Sequence, residues 1–596
     1  MKIKNINPLL YIIPLFMIGW GIFSILFYDT FYSRAVDPEY PYLINGLNVS
    51  LLEFKRIGHF DHPGTPFQVF CGIIIRITHL FTGKESITQD VFNRPDYYLT
   101  SINIFLIAIQ SFLLFLIAWI GRKRELKTRI LFVLQAAFLC NFLLIDLFCR
   151  VIPERWLIIT AILFVVIYLQ YGYNNRQPLK FAIWSGIIMG MGMATKFNFL
   201  PLIFLPLLLI NTNKNRLIYT GTGIVSFFVF IAPIITKFND YWRFITGIAS
   251  HDGIYGQGEE RMFNPEAVKA NLLEVFHVAP ELIFIIALLV IMLVLSVIYH
   301  SKSKSNGRNI LFSVGMLLII FLQIIMVSKH FKNTYLVPIM SIYGIIFFCL
   351  DDFFVSISKN EWIKALLPAF VFIFVVFTVK DAIANFPIQK IHKERREELR
   401  MYVENNLPKN TLWFVEPTWE SAPYVENGIV YGMSYCHRIK QYINELANVN
   451  PNLITFDGMD NDVKMWRIDS VSLDNIVTTA SQIHIYSTPG RNAHLLMEKV
   501  YQAAQNMGVE MQTDTLISQK ETQSHIIKIY NSNSHKSIKI RQLVKYLDKE
   551  SQIQGTMKTI YNDPQWLEKV KQKANEKNIP LDSMVRLDAI WMVENP

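Results

Sequence analysis

Charge is what this 596-residue sequence has least of. Asp, Glu, Lys and Arg make up only 17% of it, against about 25% in an average soluble domain, which excludes an ordinary cytosolic protein and a disordered or fibrous chain. Cysteine is scarce too. Cys71, Cys140, Cys149, Cys349 and Cys436 lie mostly in apolar runs, where a small buried hydrophobe is expected, so no disulfide framework is implied. Basic patches interleaved with aromatics are missing, and this removes nucleic acid as a partner despite a net charge of +10. There is no internal repeat and no low-complexity tract. What fills the sequence is apolar: 52% hydrophobic and 14% aromatic residues, with a mean hydropathy of +0.29. Residues 1–380 hold nearly all the long apolar runs, whereas residues 381–596 have the composition of a soluble domain.

A helix needs about 20 mostly apolar residues to cross the hydrocarbon. On that basis the sequence predicts about eleven transmembrane helices: Pro8 to Phe27, Leu99 to Ile120, Ile130 to Phe148, Trp156 to Tyr171, Phe181 to Ala194, Phe199 to Ile210, Leu217 to Ile235, Leu282 to Tyr299, Ile310 to Val327, Tyr335 to Ile357 and Ile363 to Val379. The fifth and sixth are short enough to form a re-entrant pair. The short loops rich in Lys and Arg, such as Arg122, Lys123, Arg124, Lys127 and Arg129, fall on one side when the N-terminus is cytoplasmic. Residues 28–98, 236–281 and everything after 380 are then extracytoplasmic. The run Phe67 to Phe81 is read as a helix lying in the outer interface, because it is short and carries Arg76 and His79. The first apolar run has no small-residue cleavage site and is read as a retained span. These features predict a multi-pass membrane protein with a cytoplasmic N-terminus and an extracytoplasmic C-terminal domain.

Ionisable residues inside a membrane are costly unless they pair or act. Here the unusual ones collect at the predicted external ends of spans. The first external loop carries Asp37 and Glu39 in VDPEYPY, then Asp61 and His62 in FDHPGTP. The turn CRVIPER supplies Arg150, Glu154 and Arg155, and the turn MATKFNF supplies Lys196. SKHFKNTYLVP supplies Lys329, His330, Lys332 and Tyr335. Taken singly, Lys196 reads as a snorkelling anchor, Arg150 with Glu154 as a helix-ending ion pair, and His62-Pro63-Gly64 as a turn. Taken together, acids in one loop and cations in several turns suit an anionic substrate attacked by a group that must lose a proton.

The order of these elements resembles the GT-C superfamily of polyprenyl-phosphate-sugar-dependent glycosyltransferases, and is similar to its protein O-mannosyltransferase, aminoarabinose transferase and galacturonosyltransferase-like branches. The elements are DPEYPYLINGL from Asp37, DHPGTPFQVF from Asp61, RVIPERW from Arg150, GIIMGMGMATKFNFLP from Gly186 and KHFKNTYLVP from Lys329. They cover residues 1 to about 380. Where the family commonly has adjacent Asp-Glu, this chain has Asp37-Pro38-Glu39, so either acid fits the catalytic role, Asp37 being favoured. The usual His-Pro-Pro is His62-Pro63-Gly64, and the late Arg-Tyr is Lys332-Asn333-Thr334-Tyr335. The resemblance implies a membrane-embedded transferase of hexosyl or pentosyl groups in which Asp37 deprotonates an acceptor hydroxyl. It makes Arg150, Lys196, Lys329, His330 and Lys332 candidates for the donor phosphate, and Glu39, Asp61, His62, Glu154, Arg155 and Tyr335 further substrate contacts. The partners implied are a polyprenyl-phosphate sugar, a lipid, glycan or protein acceptor, and membrane lipids. No cofactor and no required metal are expected. A flippase of lipid-linked sugars, for which Asn141 and Asp146 speak, and a glycan ligase are the competing classes.

The second external loop holds SHDGIYGQGEERMF, in which His251 and Tyr255 lie among three glycines, as in a lid or an acceptor-binding loop. Beyond Lys390, short apolar runs at Thr411, Ile429, Leu453, Gln482 and His525 are spaced by helical stretches, predicting an extracytoplasmic α/β domain over residues 381–535. Residues 536–596 read as an amphipathic helical tail, with Asp563-Pro564 as a helix cap followed by proline at the first helical position. A part in acceptor recognition or partner docking is expected of this region.

Overall fold

The computed structural model describes residues 7–28, 39–60, 64–148, 150–251, 259–261, 265–298, 305–328, 331–357, 361–406, 412–415, 442, 445, 453–457, 464–466, 473–480, 482–487, 493–519, 524–531, 552–553, 555–557, 559–577 and 579–594. The chain divides into two compact units, one of residues 1–31 with 41–390 and one of 32–40 with 391–596.

The first unit is helical and belongs to a polytopic membrane protein. Among the described residues nine helices are long and apolar enough to cross a membrane, and Thr128–Leu139 and Phe197–Leu209 are shorter apolar helices. Proline at the first helical position, where its missing N–H costs nothing, opens Pro95–Lys123, Pro153–Ile167 and Pro178–Thr195. Three expectations change in detail. Thr65–Thr82, expected to lie in the interface, has 18 residues and enough apolar character to qualify as a crossing. The expected span Ile130 to Phe148 is broken. Helix Thr128–Ala136 passes through a 3-10 turn, Ala137–Leu139, to an extended Asn141, and a short helix Phe142–Leu147 follows. Asn141 causes the break: its side-chain oxygen accepts the Leu143 N–H at 2.8 Å, capping a new helix instead of continuing the old one. The expected span Leu217 to Ile235 is a helix Asn213–Ile231, a 3-10 segment Ala232–Lys237 and a strongly amphipathic helix Phe238–Ser250.

The glycines of GIIMGMGMAT act in packing. A methyl group on Gly186 would lie 2.7 Å from the Tyr219 carbonyl oxygen, and one on Gly190 would lie 2.6 Å from that of Gly223. Only hydrogen at these positions lets the backbones of Pro178–Thr195 and Asn213–Ile231 approach so closely. Ser226 Oγ completes the contact by donating to the Ile187 carbonyl at 2.9 Å. At Gly192 the added methyl would strike the Phe199 ring, so this glycine permits the chain to fold back immediately after Lys196.

The second unit contains a six-stranded mixed sheet of β1 (Leu412–Val415), β2 (Leu453–Asp457), β3 (Lys464–Trp466), β4 (Gln482–Ser487), β5 (Met511–Gln519) and β6 (Ser524–Asn531). Their order is β3-β2-β1-β4-β6-β5. β2, β1 and β4 run parallel, while β3, β6 and β5 pair antiparallel with their neighbours. Alternation along β4 turns Ile483 and Ile485 to one face, where they join Phe414, Ile527 and Ile529 in a core. Leu496 and Val500 of helix Ala493–Asn506 close that core. The expected α/β domain is therefore present. The expected run at Ile429 lies outside the described residues, and β3 and β5 carried too little apolar signal to be expected. In the tail, Asp563 Oδ1 accepts the N–H groups of Gln565 and Trp566 at 3.0 and 3.1 Å, the anticipated cap of helix Pro564–Lys577. That helix and Leu581–Glu594 share a small core built on Ile560, Val570, Met584 and Val585.

On the other face of the sheet, His484 is buried and stacked on Trp413 with ring centroids 4.9 Å apart. Burial, reinforced by Lys528, pushes its pKa down to about 4 from 6.5. An unfolded chain therefore takes up the proton first. The contribution of the neutral ring is complete above pH 6.5 and is lost as the pH falls toward 4. Melting of this unit is expected to shift downward across that window, and His484→Phe to flatten the shift. An unchanged pH slope in the variant would assign the acid sensitivity to other groups.

Candidate functional site

Four helix boundaries of the first unit supply the site. The first follows Phe142–Leu147, where Ile152 is extended and Pro153 starts the next helix, placing Glu154 and Arg155 in its first turn. The Arg155 guanidinium is buried. It donates to Asn103 Oδ1 and to the Arg150 carbonyl at 3.2 Å, and it lies 4.9 Å from the centre of the Phe148 ring. Arg150 is buried in the same turn.

The second is at Lys196. This residue ends helix Pro178–Thr195 in an extended conformation (φ −158°, ψ 136°), its N–H still bonded to the Gly192 carbonyl at 3.1 Å. Its ammonium is buried and pairs with Glu154 Oε1. The two helix ends favour this arrangement. Glu154 sits at the N-terminal, positive end of one helix dipole and Lys196 at the C-terminal, negative end of another. Removing two charges from water is nevertheless expensive. A buried pair of this kind is weak grounds for stability and better grounds for a site. The second carboxylate oxygen, Glu154 Oε2, is buried and has no hydrogen-bond partner among the described residues.

The third is the 3-10 turn Asn333–Leu336, entered from an extended Lys332. The Tyr335 ring lies beneath the Lys196 ammonium, 5.1 Å from ring centre to Nζ, in cation–π geometry. The Tyr335 carbonyl accepts from Gln323 Nε2 at 3.0 Å and from Asn198 Nδ2 at 3.5 Å. Lys332 is half-buried.

The fourth is Gly64, which precedes helix Thr65–Thr82. With φ at 55° it occupies the left-handed region that favours glycine, and its N–H donates to the Thr195 carbonyl at 3.0 Å. The chain directly after Asp61-His62-Pro63 is thereby tied to the residue directly before Lys196.

Of the residues singled out from sequence, Glu154, Lys196 and Tyr335 form one contact cluster, with Arg150 and Arg155 in the adjoining turn. Glu39 is buried at the head of helix Tyr40–Ser50. His251 is not part of the cluster. It ends helix Phe238–Ser250, and its Nδ1 lies 2.8 Å from Ser250 Oγ. Asp37, Asp61, His62, Tyr255, Lys329 and His330 lie outside the described residues. Asn103, Asn198 and Gln323 were not anticipated. Each is a lone amide in an apolar run, and that is the signal by which they were findable. No group of three or more His, Cys, Asp or Glu side chains suited to a metal occurs among the described residues.

Two apolar grooves are lined in part by the packed helices Pro178–Thr195 and Asn213–Ile231. One, of about 420 Å³, is walled by Met189, Met193, Phe197, Phe227, Tyr241 and Trp242. The other, of about 780 Å³, runs past Trp156, Met191, Phe230 and Pro233 and has one cation, Arg76, in its wall. Phe197, in the wall of the first, follows Lys196 in the chain, and Trp156, in the wall of the second, follows Arg155. Elements separated by some 180 positions in the chain thus bring together a buried ammonium, a carboxylate with a spare oxygen and an aromatic face.

No family model and no curated protein matches the chain. Among solved structures, the crystal structure of ArnT from Cupriavidus metallidurans bound to undecaprenyl phosphate aligns over 87% of this chain and 97% of that one, with 8% identity and a TM-score of 0.44. That likeness is too slight to establish a family for this chain.

Proposed function

We propose that this protein is a membrane glycosyltransferase of the GT-C type, moving one sugar from a polyprenyl-phosphate carrier to an acceptor hydroxyl at the extracytoplasmic face of the inner membrane. The observation that carries the reading is the convergence of sequence-distant segments on the Glu154–Lys196–Tyr335 cluster, whose ion pair is buried. An isoprenoid chain suits an apolar groove, and the groove bordered by Phe197 would lead such a chain to Lys196. The orientation rests on the basic loops, which place the N-terminus in the cytoplasm.

The chemistry asks little of the protein. A phosphate monoester has a second pKa near 6, so the departing lipid phosphate needs no general acid. What remains is to stabilise the phosphate as its charge develops and to deprotonate the acceptor. Lys196, already buried and oriented, would exchange part of its interaction with Glu154 for a phosphate oxygen, with Arg150 and Lys332 as further cations. Asp37 is the proposed base, and attack opposite the phosphate inverts the anomeric centre.

The test is purified protein in lipid nanodiscs with a panel of polyprenyl-phosphate hexoses and pentoses, assayed for release of the lipid phosphate together with glycosylated acceptor. Transfer from any member supports the reading. Translocation of the intact lipid across vesicles without transfer would replace it by the flippase class.

A further inference from the structure

A second buried polar cluster stands behind the candidate site and belongs to none of the motifs above. Glu281, in the first turn of Pro280–Ile298, is 1% exposed. Its Oε1 accepts from Asn141 Nδ2 at 3.0 Å and from the Tyr343 hydroxyl at 3.1 Å. The other carboxylate oxygen is buried and has no hydrogen-bond partner among the described residues. Asn141 also donates to the Val278 carbonyl at 2.8 Å, fastening the end of helix Pro265–Val278 to the same point.

Each partner of Glu281 stands at a break that leads to the site. Asn141 caps Phe142–Leu147, the element that delivers Arg150, Glu154 and Arg155. Tyr343 begins Tyr343–Ile357, directly after the segment Asn333–Ser341 that carries Tyr335. The Lys196 ammonium touches a residue from each of these two segments, Glu154 on one and Tyr335 on the other. A carboxylate is costly to keep inside a membrane protein. Here a single one spans the two segments whose relative position decides where that ammonium sits.

We infer that Glu281 is a positioning residue for the proposed transfer: by accepting from Asn141 and Tyr343 together it holds the Glu154 turn and the Tyr335 turn in register around Lys196. This rests on the reading under Proposed function. The experiment compares Glu281→Gln, which keeps one acceptor oxygen, with Glu281→Ala, and has two readouts. In the folded, monodisperse fraction, Glu281→Ala is expected to lower kcat about 10- to 100-fold, the scale of a small misplacement of reacting groups, with donor KM little changed. Glu281→Gln is expected to stay near wild type. Independently of turnover, hydrogen–deuterium exchange should rise in residues 147–155 and 333–336 of Glu281→Ala and not of Glu281→Gln. A Glu281→Ala protein with full kcat, with losses in Glu281→Gln equal to its own, or with no change of exchange in either turn overturns the inference. A wild-type protein inactive on every donor, with the exchange changes still present, overturns the functional reading and leaves the positioning intact.

Discussion

Lys196→Met is expected to lower release of polyprenyl phosphate by about 10²- to 10³-fold, the scale at which one preorganised electrostatic contact to a developing oxyanion acts. The same substitution strands the Glu154 carboxylate in a buried site, at a cost of about 3–5 kcal/mol in stability. The two effects separate in the double variant Glu154→Gln/Lys196→Met. With both charges gone, the burial penalty is relieved, and the melting temperature should return toward wild type. Turnover should not return, because the ammonium proposed to meet the phosphate is still missing. Thermal unfolding in nanodiscs and the lipid-phosphate assay read these outcomes in parallel. Recovery of turnover in the double variant would make the pair a structural staple and move the phosphate site elsewhere, with Arg150 and Lys332 the next cations to test.

Asp37→Asn is expected to reduce kcat by about 10²- to 10⁴-fold, the usual contribution of a positioned general base. Donor KM should change little, because the amide keeps the size and one acceptor oxygen of the acid and loses only the capacity to take a proton. Glu39→Gln is the necessary partner experiment, since the Asp37-Pro38-Glu39 spacing puts two acids within reach of the role. A variant set in which Glu39→Gln is silenced and Asp37→Asn turns over normally would transfer the base to Glu39. If both retain full turnover, neither acid takes the proton.

Much of the architecture is legible in one dimension. A run of apolar residues long enough to cross hydrocarbon can hide its backbone polar groups only by forming a helix, so hydropathy alone locates most of the long helices. It fails where a single side chain competes with the helix, as Asn141 does. It fails again where an apolar run is interrupted by prolines, Pro201 and Pro206 in Phe197–Leu209, which enters as a 3-10 segment before becoming α-helical. The α/β domain is readable because short apolar runs, at Thr411, Leu453, Gln482 and His525, are spaced by helical stretches. The strand β3, three residues long, offers no such run.

The candidate site divides in the same way. Scarcity of charge made each ionisable residue near a span informative, and Glu154, Lys196 and Tyr335 stood out from composition and position. Arg155 stood out equally, and its guanidinium turned out to brace the turn through Asn103 and the Arg150 carbonyl. His251 stood out too and lies apart from the cluster. Glu281 drew no attention, because an acid next to a proline at the end of a long loop looks like an ordinary helix start. Its burial and its two donors are the whole of its significance, and both are supplied by segments more than 60 and 130 residues away.

Composition and hydropathy are enough to identify a membrane protein, to locate most of its long helices and to mark the few polar residues that have to be accounted for. Which of those residues meet is set by the folded chain. The cost of placing a charge in an apolar run is a local property and can be read from its neighbours in sequence. The compensation for that cost, an ion pair, an aromatic face or a bridging carboxylate, is made through space by distant segments, and no local pattern encodes it.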